Sequence, residues 1–215
     1  MLAIIQARSN SKRFKNKVLF PIYGKPMIEH VVNRVAKSNK IKKIIVSSSV
    51  NKSDDNLIKY LKSKKISYYR GSLQNVALRL YKTAEKYESD FFLRVNGDSP
   101  LIDFQLIDKI INTHNKAKKK FDIITNVFPR SFPKGQSVEI IKTSILKKYL
   151  KKFNALEKEH VTMFFYSNSK NFKIKNFTLK AKNKMMNLAV DTKMDLKRIL
   201  KNFTKNKFKS FSLSK

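Results

Sequence analysis

Hydrophobic residues along the chain fall into two recurring patterns, short apolar runs and apolar positions at helical spacing. The first run covers residues 2–5 and predicts a buried strand. After a basic stretch, apolar residues recur at the i, i+3, i+4 and i+7 positions that mark one face of a helix: Ile28, Val31, Val32 and Val35. We therefore predict an amphipathic helix over residues 26–37, with Pro26 near its first turn.

The same alternation continues along the rest of the chain. Further strands are predicted at residues 44–46, 67–69, 91–95, 122–125, 138–141, 172–179 and 188–190. Further helices are predicted around residues 57–61, 77–84, 106–111, 146–153, 161–165 and 196–203. Strands that alternate with helices indicate an α/β fold with a mainly parallel central sheet and helices on both faces. No repeat or linker divides residues 1–215, so we predict a single domain whose last stretch, from Lys205, frays.

Polar linkers follow several of the predicted strands. In open α/β sheets, ligands bind beyond the carboxyl ends of the strands, so these linkers are the candidate functional segments. Three of them stand out: residues 8–17 after the first strand, residues 96–98 after Val95, and Asp191 after Val190.

Charge is the strongest signal in the composition. The chain has 48 Lys and Arg against 15 Asp and Glu, a formal net charge of +33. Such a balance is typical of proteins that bind nucleic acid or another polyanion. A coding bias accounts for it as well, since 40 of the basic residues are Lys, only 4 residues are Gly, and the lysines are spread along the chain. We favour the coding bias and treat total charge as weak evidence for nucleic-acid binding.

The composition also disfavours several classes of protein and site. Without Cys there is no disulfide framework, thiol nucleophile or Cys-based zinc site. No apolar run reaches the roughly 18 residues that a membrane span needs, and the opening apolar run is too short for a signal-peptide core. We therefore expect a soluble, cytoplasmic protein.

Arginine is rare in this lysine-rich chain, so its positions are informative. Six of the eight arginines lie in or near linkers: Arg8, Arg13, Arg70, Arg79, Arg94 and Arg130. The first linker holds five cations within ten residues: Arg8, Lys12, Arg13, Lys15 and Lys17. Clustered donors of this kind suit a triphosphate, although a solvated lysine-rich loop would show the same pattern. The linker contains no Gly, so it is neither a Walker A loop nor a GxGxxG motif.

Two aspartates follow predicted strands in a chain that is poor in acids. Asp98 comes after the strand at residues 91–95, and Asp191 directly follows another. Mg²⁺ is commonly held by one or two carboxylates together with phosphate oxygens, so both aspartates are candidate metal ligands. Thr192 and Asp195 fit a capping box that opens the last helix, which leaves Asp191 free to face a ligand.

Several segments together carry a family resemblance. They read IIQARSNSKR (residues 4–13), GKPMIEH (24–30), YRGS (69–72), RVNGDSPLID (94–103), EHVT (159–162) and VDT (190–192). In this order they resemble the sugar cytidylyltransferase family, which includes the acylneuraminate and 3-deoxy-octulosonate cytidylyltransferases. The spore coat polysaccharide biosynthesis type is the most similar branch, and the resemblance covers nearly the whole chain.

The resemblance implies a three-layer Rossmann-like nucleotidyltransferase fold. The implied reaction is Mg²⁺-dependent transfer of CMP from CTP to a sugar acid for surface polysaccharide synthesis, with release of pyrophosphate. The resemblance places the nucleotide contacts on six side chains: Arg8, Ser11, Arg13, Lys17, Arg70 and Asn96. Within this set Lys17 and Arg13 would be catalytic, while Asp98 and Asp191 would bind the Mg²⁺ ion.

Two departures from the family pattern affect what can be predicted. Residues 14–17 read Phe-Lys-Asn-Lys where relatives often carry Leu-Pro-Gly-Lys, so the Gly is lost and Lys17 is kept. Ser137 stands where related types often carry an acidic residue, which leaves the acceptor sugar open. His160 is a candidate for a contact with substrate or with a second subunit.

Assembly and two alternative functions complete the predictions. Members of the family are usually dimers, so a homodimer is expected, with residues 164–166 and 172–179 as candidate contacts. The core of the monomer is an equally good position for these aromatic residues. One alternative is a glycosyltransferase-like protein that uses a nucleotide-sugar as donor. The other is a basic nucleic-acid-binding protein, although the chain lacks a recognisable nucleic-acid motif and its carboxylates at strand ends would serve no purpose there.

Overall fold

The computed structural model describes residues 1–11, 13–117, 120–179 and 187–213. These residues form nine strands, nine α-helices and four short 3₁₀ turns. The strands are β1 Leu2–Gln6, β2 Pro21–Ile22, β3 Lys25–Pro26, β4 Lys43–Ser49, β5 Tyr68–Gly71, β6 Phe91–Asn96, β7 Ile123–Thr125, β8 Glu139–Lys142 and β9 Ile174–Asn176. The α-helices are α1 Met27–Ala36, α2 Asp55–Ser63, α3 Val76–Lys86, α4 Phe104–Lys116, α5 Thr143–Tyr149, α6 Ala155–Glu159, α7 Met163–Ser167, α8 Lys193–Asn202 and α9 Lys205–Ser210.

Seven strands form the central sheet in the order β5-β4-β1-β6-β8-β7-β9. Strand β8 runs antiparallel to both of its neighbours, and every other pair in this sheet is parallel. Strands β2 and β3 pair separately as a short hairpin. The prediction of an α/β fold with a mainly parallel sheet is confirmed. The apolar runs become central strands because both of their faces are covered by helices.

The alternation of side chains along β1 shows why the fold has three layers. Ala3 and Ile5 pack in one core cluster with apolar residues of α1, α2 and α4. Leu2 and Ile4 pack in a second cluster with residues of α3, α5 and α7 on the opposite face. Successive side chains of a strand point to opposite faces, so one apolar run contributes to both cores.

The start of the last long helix agrees with the sequence prediction. Thr192 accepts a hydrogen bond from the backbone N–H of Asp195, and the Asp195 carboxylate accepts one from the Thr192 N–H. This reciprocal capping box satisfies backbone donors that a helix start would otherwise leave unpaired. It also fixes the point at which the chain leaves Asp191.

Two predicted strands differ from the structure. The segment at residues 188–190 is not a strand, because it packs against loops beyond the sheet. The N–H groups of Leu188 and Val190 donate to the carbonyls of Lys134 and Asp98, at 2.8 and 2.9 Å. The strand predicted over residues 172–179 contracts to β9, which is three residues long.

Residues 205–213 are docked onto the fold, so the prediction that the chain frays from Lys205 is wrong for this stretch. Phe208 of α9 is 1% exposed. The buried Arg34 side chain donates to the carbonyls of Ile102, Phe208 and Phe211. The Asp103 carboxylate accepts hydrogen bonds from Ser212 and from the Leu213 N–H. We call Arg34, Asp103 and residues 208–213 the C-terminal clamp.

In the described ranges, no helix is both long enough and apolar enough to cross a membrane.

Candidate active site

A large cavity opens at the carboxyl ends of β1 and β6. Its volume is about 1090 Å³, and its walls come from the basic linker after β1, the start of α3, helix α6 and the segment before α8. Seven of the eight predicted site residues line it: Arg8, Ser11, Arg13, Lys17, Asn96, Asp98 and Asp191. Lys12 lies outside the described residues. The structure thus brings together side chains that are widely separated along the chain.

Lys17 lies between the two predicted metal ligands. Its Nζ is 2.9 Å from Asp98 Oδ2 and 2.9 Å from Asp191 Oδ1. The Lys17 side chain is only 10% exposed. Burial alone would lower the pKa of Lys17, but the two carboxylates outweigh it and hold that pKa above its ordinary value. Two carboxylates that converge on one ammonium form a ready site for a positive charge.

Arg13 adds a second cation to this group. One of its terminal nitrogens is 3.1 Å from Asp191 Oδ1, and its side chain is 67% exposed. An exposed ion pair of this kind contributes little to stability. Arg13 is therefore free to exchange its carboxylate partner for an anionic ligand in the cavity.

Backbone contacts beyond the sheet position the two aspartates. Strands β1 and β6 pair in register up to Gln6 and Asn96, and the Gly97 N–H then donates to the Gln6 carbonyl at 2.8 Å. A Cβ atom at Gly97 would lie 2.9 Å from the Ala7 side chain, closer than real Cβ contacts allow. Only glycine permits this close approach, which leaves Asp98 at the rim of the cavity. The hydrogen bond from Val190 to the Asp98 carbonyl brings the next residue, Asp191, alongside.

The basic linker is anchored through Ser9. Its N–H donates to the Asp54 carboxylate at 2.6 Å, and its carbonyl accepts from the Asn16 N–H at 2.9 Å. Ser48 and Ser49 also donate to Asp54, which is fully buried. Burial alone would raise the pKa of Asp54, but these hydrogen bonds outweigh it and hold the pKa below its ordinary value. Asp54 thus ties the linker to the end of β4.

Arg8 reaches across the cavity mouth to α6. It forms an ion pair with Glu159 at 2.5 Å, with side chains 35% and 46% exposed. The predicted nucleotide contact of Arg8 therefore requires the arginine to leave this partner.

Arg70 is the predicted site residue that does not line the cavity. Its guanidinium donates to the carbonyls of Ser49 and Asn51 and pairs with Asp55 at 2.7 Å. These bonds tie the edge strand β5 to the start of α2. The nucleotide contact of Arg70 stays a prediction, and in the structure its guanidinium holds these partners outside the cavity lining.

A second cavity of about 450 Å³ adjoins the first. Arg94, Asn96 and His160 line both cavities, so a ligand in one can touch a ligand in the other. Ser137 and Arg130 line the second cavity as well, and the Arg130 guanidinium donates to the Ser137 hydroxyl at 3.1 Å.

Buried Glu139 organises the floor of the second cavity. It accepts hydrogen bonds from Thr162 at 2.9 Å and Tyr166 at 2.5 Å, and it pairs with Arg94. Burial and the carboxylate of Glu139 raise the pKa of Tyr166 well above its ordinary value, so the phenol stays a donor. Arg94 also donates to the Gln6 side chain, which joins β8, β6 and β1 at the cavity wall.

Sequence reasoning missed the residues that hold or complete the site. Asp54 and Glu139 gave no signal because their roles depend on partners from distant segments. In the sequence Arg79 stands out only as a rare arginine near a linker. In the structure it lines the first cavity and is 1% exposed. The apolar face of the predicted helix is defined by Ala77, Leu80, Tyr81 and Ala84, and at helical spacing Arg79 lies away from it, so the periodicity does not single it out.

The donor set around Asp98 and Asp191 favours a cation that brings further ligands with it. Among the described residues, no group of three or more His, Cys, Asp or Glu side chains could enclose a metal ion. The ammonium of Lys17 already stands where both carboxylates converge. Mg²⁺ is typically bound by one or two carboxylates plus phosphate oxygens, so the residues fit a metal that arrives with a nucleotide.

Comparisons with known proteins identify the family. A family model described as cytidylyltransferase matches residues 2–211. Spore coat polysaccharide biosynthesis protein SpsF of Bacillus subtilis is 27% identical over 208 residues, 93% of this chain and 84% of that protein. A 3-deoxy-manno-octulosonate cytidylyltransferase of Geotalea daltonii is 34% identical over 112 residues, 51% of this chain and 43% of that protein.

A solved structure agrees with this result over the whole fold. A cytidylyltransferase from Leptospira borgpetersenii superposes with a TM-score of 0.89 at 27% identity, covering 98% of this chain and 89% of that one. The family match spans nearly all of the sequence, so the chain belongs to the cytidylyltransferase family.

Proposed function

We propose that this member of the cytidylyltransferase family transfers CMP from CTP to a hydroxyl of a sugar acid and releases pyrophosphate. The observation that carries the proposal is the convergence of Asp98, Asp191 and Lys17 at the rim of a cavity that also holds Arg8 and Arg13. Carboxylates for a metal and cations for phosphates are the two requirements of nucleotidyl transfer, and they meet at one place.

The two cavities suggest how the substrates divide the site. The charged end of the large cavity, with Arg13 and Lys17, suits the triphosphate. The wall at the start of α3, with Leu73 and Val76, suits the base. The second cavity suits the acceptor, and Arg130 and His160 there offer donors for the carboxylate of a sugar acid.

The chain's own residues act by positioning and by charge. The acceptor hydroxyl attacks the α-phosphorus of CTP and loses its proton to solvent, the bond from that phosphorus to the bridging oxygen breaks, and pyrophosphate leaves with the electron pair. Lys17 and Arg13 stabilise the negative charge that grows on the departing phosphates, and no covalent intermediate is needed. Mg²⁺ held by Asp98 and Asp191 would neutralise phosphate charge when bound. Ser11 and Asn96 line the same cavity and hold the nucleotide in place.

The homodimer stays a prediction, and one of its candidate contact residues is fully buried within the monomer. Phe165 is fully buried, and it packs against Phe164 and Phe172 within the monomer core.

Pyrophosphate release tests the proposed function. Each of the four ribonucleoside triphosphates is incubated with Mg²⁺ and a panel of octulosonic and nonulosonic acids, with neutral aldoses as matched controls. We expect release only with a pyrimidine nucleotide and an acidic sugar, and strongest with CTP. Consumption of a nucleotide-sugar without pyrophosphate would instead identify a glycosyltransferase and would contradict the proposal.

A further inference from the structure

Arg79 is a buried arginine whose hydrogen bonds are incomplete. It lies on α3, is 1% exposed and lines the large cavity. Its Nη1 donates to the Ser72 carbonyl at 2.6 Å. Its Nε and Nη2 have no hydrogen-bond partner within the part of the chain that the structure describes. Buried donors of a charged group are costly when unpaired, so a ligand acceptor at this wall would stabilise the protein.

The guanidinium is held in one place. A Cβ atom at Gly71 would lie 2.9 Å from Arg79 Cγ, so the stem of Arg79 is packed directly against the end of β5. Burial lowers the pKa of Arg79 to about 10, and the nearby Asp54 opposes that shift. The side chain therefore remains charged at neutral pH, with its stem packed against β5 and two donors unpaired.

Arg34 provides the contrast that makes Arg79 unusual. It is also buried, and burial lowers its pKa to about 10. Its terminal nitrogens, however, donate to three backbone carbonyls, those of Ile102, Phe208 and Phe211. Arg34 lies outside the cavity lining, whereas Arg79 stands in it. Of these two arginines, Arg79 alone combines burial, unpaired donors and a position at the cavity.

The surroundings of Arg79 suit a flat polar ring better than another phosphate. The same wall is lined by Leu73 and Val76, which are apolar, and by the Gln74 side chain. The carboxylates and the paired lysine belong to the segments after β1 and β6 and before α8. A heteroaromatic ring can pack on apolar side chains and direct its edge acceptors at buried donors.

We propose that Arg79 is a specificity-determining residue that selects cytosine over uracil. Its Nε–H and Nη2–H groups form a fork that donates to O2 and N3 of cytosine, both of which are acceptors. Uracil carries N–H at position 3, so one donor of the fork would face another donor. The inference rests on the proposed function, because it takes the base of a nucleoside triphosphate as the ligand.

The expected preference for CTP over UTP can be estimated from the energy of a bidentate hydrogen-bonded contact. A bidentate contact discriminates against the wrong base by about 5- to 150-fold. We therefore expect CTP to bind at least fivefold more tightly than UTP. The triphosphate and ribose are identical in the two nucleotides, so the ratio reports on the base alone.

Calorimetric titration with CTP and with UTP, in Mg²⁺ and without an acceptor sugar, tests the inference. Arg79→Gln replaces the fork by an amide that holds one donor and one acceptor, so it can pair with either base. We expect the ratio of CTP to UTP affinity to fall to within about twofold of unity. Arg79→Lys keeps the charge but has no planar fork, and its ratio should fall as well. Arg34→Gln, a matched change at the other buried arginine, should keep the wild-type ratio even where it lowers the melting temperature.

Several results would overturn the inference. Equal affinity of the wild-type protein for CTP and UTP would show that Arg79 does not select the base. An Arg79→Gln or Arg79→Lys protein that is folded by circular dichroism and keeps the wild-type ratio shows that Arg79 is only structural. If Arg79→Gln does not fold, the Arg79→Lys ratio decides alone. If the wild-type protein binds no nucleotide, the proposed function and this inference are both overturned. If the ratio of CTP to UTP affinity is unchanged in the Arg79 variants, only this inference is overturned.

Discussion

Two regions of the molecule each contain a buried arginine on a helix, but the hydrogen bonding of the two arginines differs. In the C-terminal clamp, Arg34 donates to three backbone carbonyls and closes the end of the chain onto α1 and α4. At the large cavity, Arg79 makes one hydrogen bond to the Ser72 carbonyl and leaves two donors unpaired. The first arginine completes the fold, and the second is left for a ligand.

The carboxylates of the two regions differ in the same way. Asp103 in the clamp is 1% exposed and accepts hydrogen bonds from Gln105, Ser212 and Leu213. Asp98 and Asp191 at the cavity have side chains 24% and 35% exposed, and they share the ammonium of Lys17. A buried carboxylate whose acceptor positions are filled by hydrogen-bond donors stabilises the fold, whereas partly exposed carboxylates that share one ammonium remain accessible to a ligand.

The largest effect should come from neutralising a cavity carboxylate. We expect Asp98→Asn and Asp191→Asn each to lower kcat by about 10²- to 10³-fold, the range for removing one electrostatic stabiliser of a transition state. Steady-state kinetics at saturating CTP, Mg²⁺ and acceptor measures the loss, and both variants should melt within a few degrees of the wild type.

Asp103→Asn is the matched control from the clamp for these two variants. It should lower the melting temperature and leave kcat within about threefold of the wild type. Near-wild-type kcat in Asp98→Asn or Asp191→Asn would show that the aspartate concerned does not contribute to catalysis.

An intermediate effect, on stability alone, should follow from opening the clamp. Arg34→Met fills a similar volume but leaves three carbonyls and the Asp103 carboxylate without their cationic partner. We expect the free energy of unfolding to fall by about 3 kcal/mol, as measured by urea denaturation. The KM for CTP should not change, because Arg34 does not line the cavity. A loss below about 1 kcal/mol would mean that the docked end of the chain contributes little to stability.

The smallest effects should come from the exposed ion pair at the cavity mouth. Arg8→Ala should raise the KM for CTP about fivefold with kcat kept, because the arginine contacts bound nucleotide in the ground and transition states alike. Glu159→Gln should lower that KM by about twofold, since an exposed pair is worth about 0.2–1 kcal/mol and its loss frees Arg8.

Lys15→Ala is the control from the same linker, because Lys15 is exposed and does not line the cavity. Its KM should stay at the wild-type value. Equal small effects for Lys15→Ala and Arg8→Ala would show that the linker is a lysine-rich surface without a nucleotide site.

Local pattern alone was enough for much of the fold and for the rim of the site. Apolar runs and helical spacing predicted most strands and long helices, because burial of one helix face leaves apolar residues at helical spacing and burial of both strand faces leaves a continuous apolar run. The capping box at Thr192 was predicted for the same reason, since its partners are three residues apart. The basic linker after β1 and Asp98 beyond β6 were also predicted, because residue types at the end of a strand are visible in the sequence. Asp191 was predicted as well, although the segment before it is not a strand.

The tertiary structure alone decided which of these residues meet. Lys17 and Asp191 are 174 positions apart, and their contact depends on the order of the strands and on the bond from Val190 to Asp98. No periodicity records such a contact, because it arises from segments that approach only after the sheet forms. For the same reason the sequence placed Arg70 at the nucleotide and left Arg79 without a role, while the packed structure turned Arg70 toward α2 and buried Arg79 at the cavity wall.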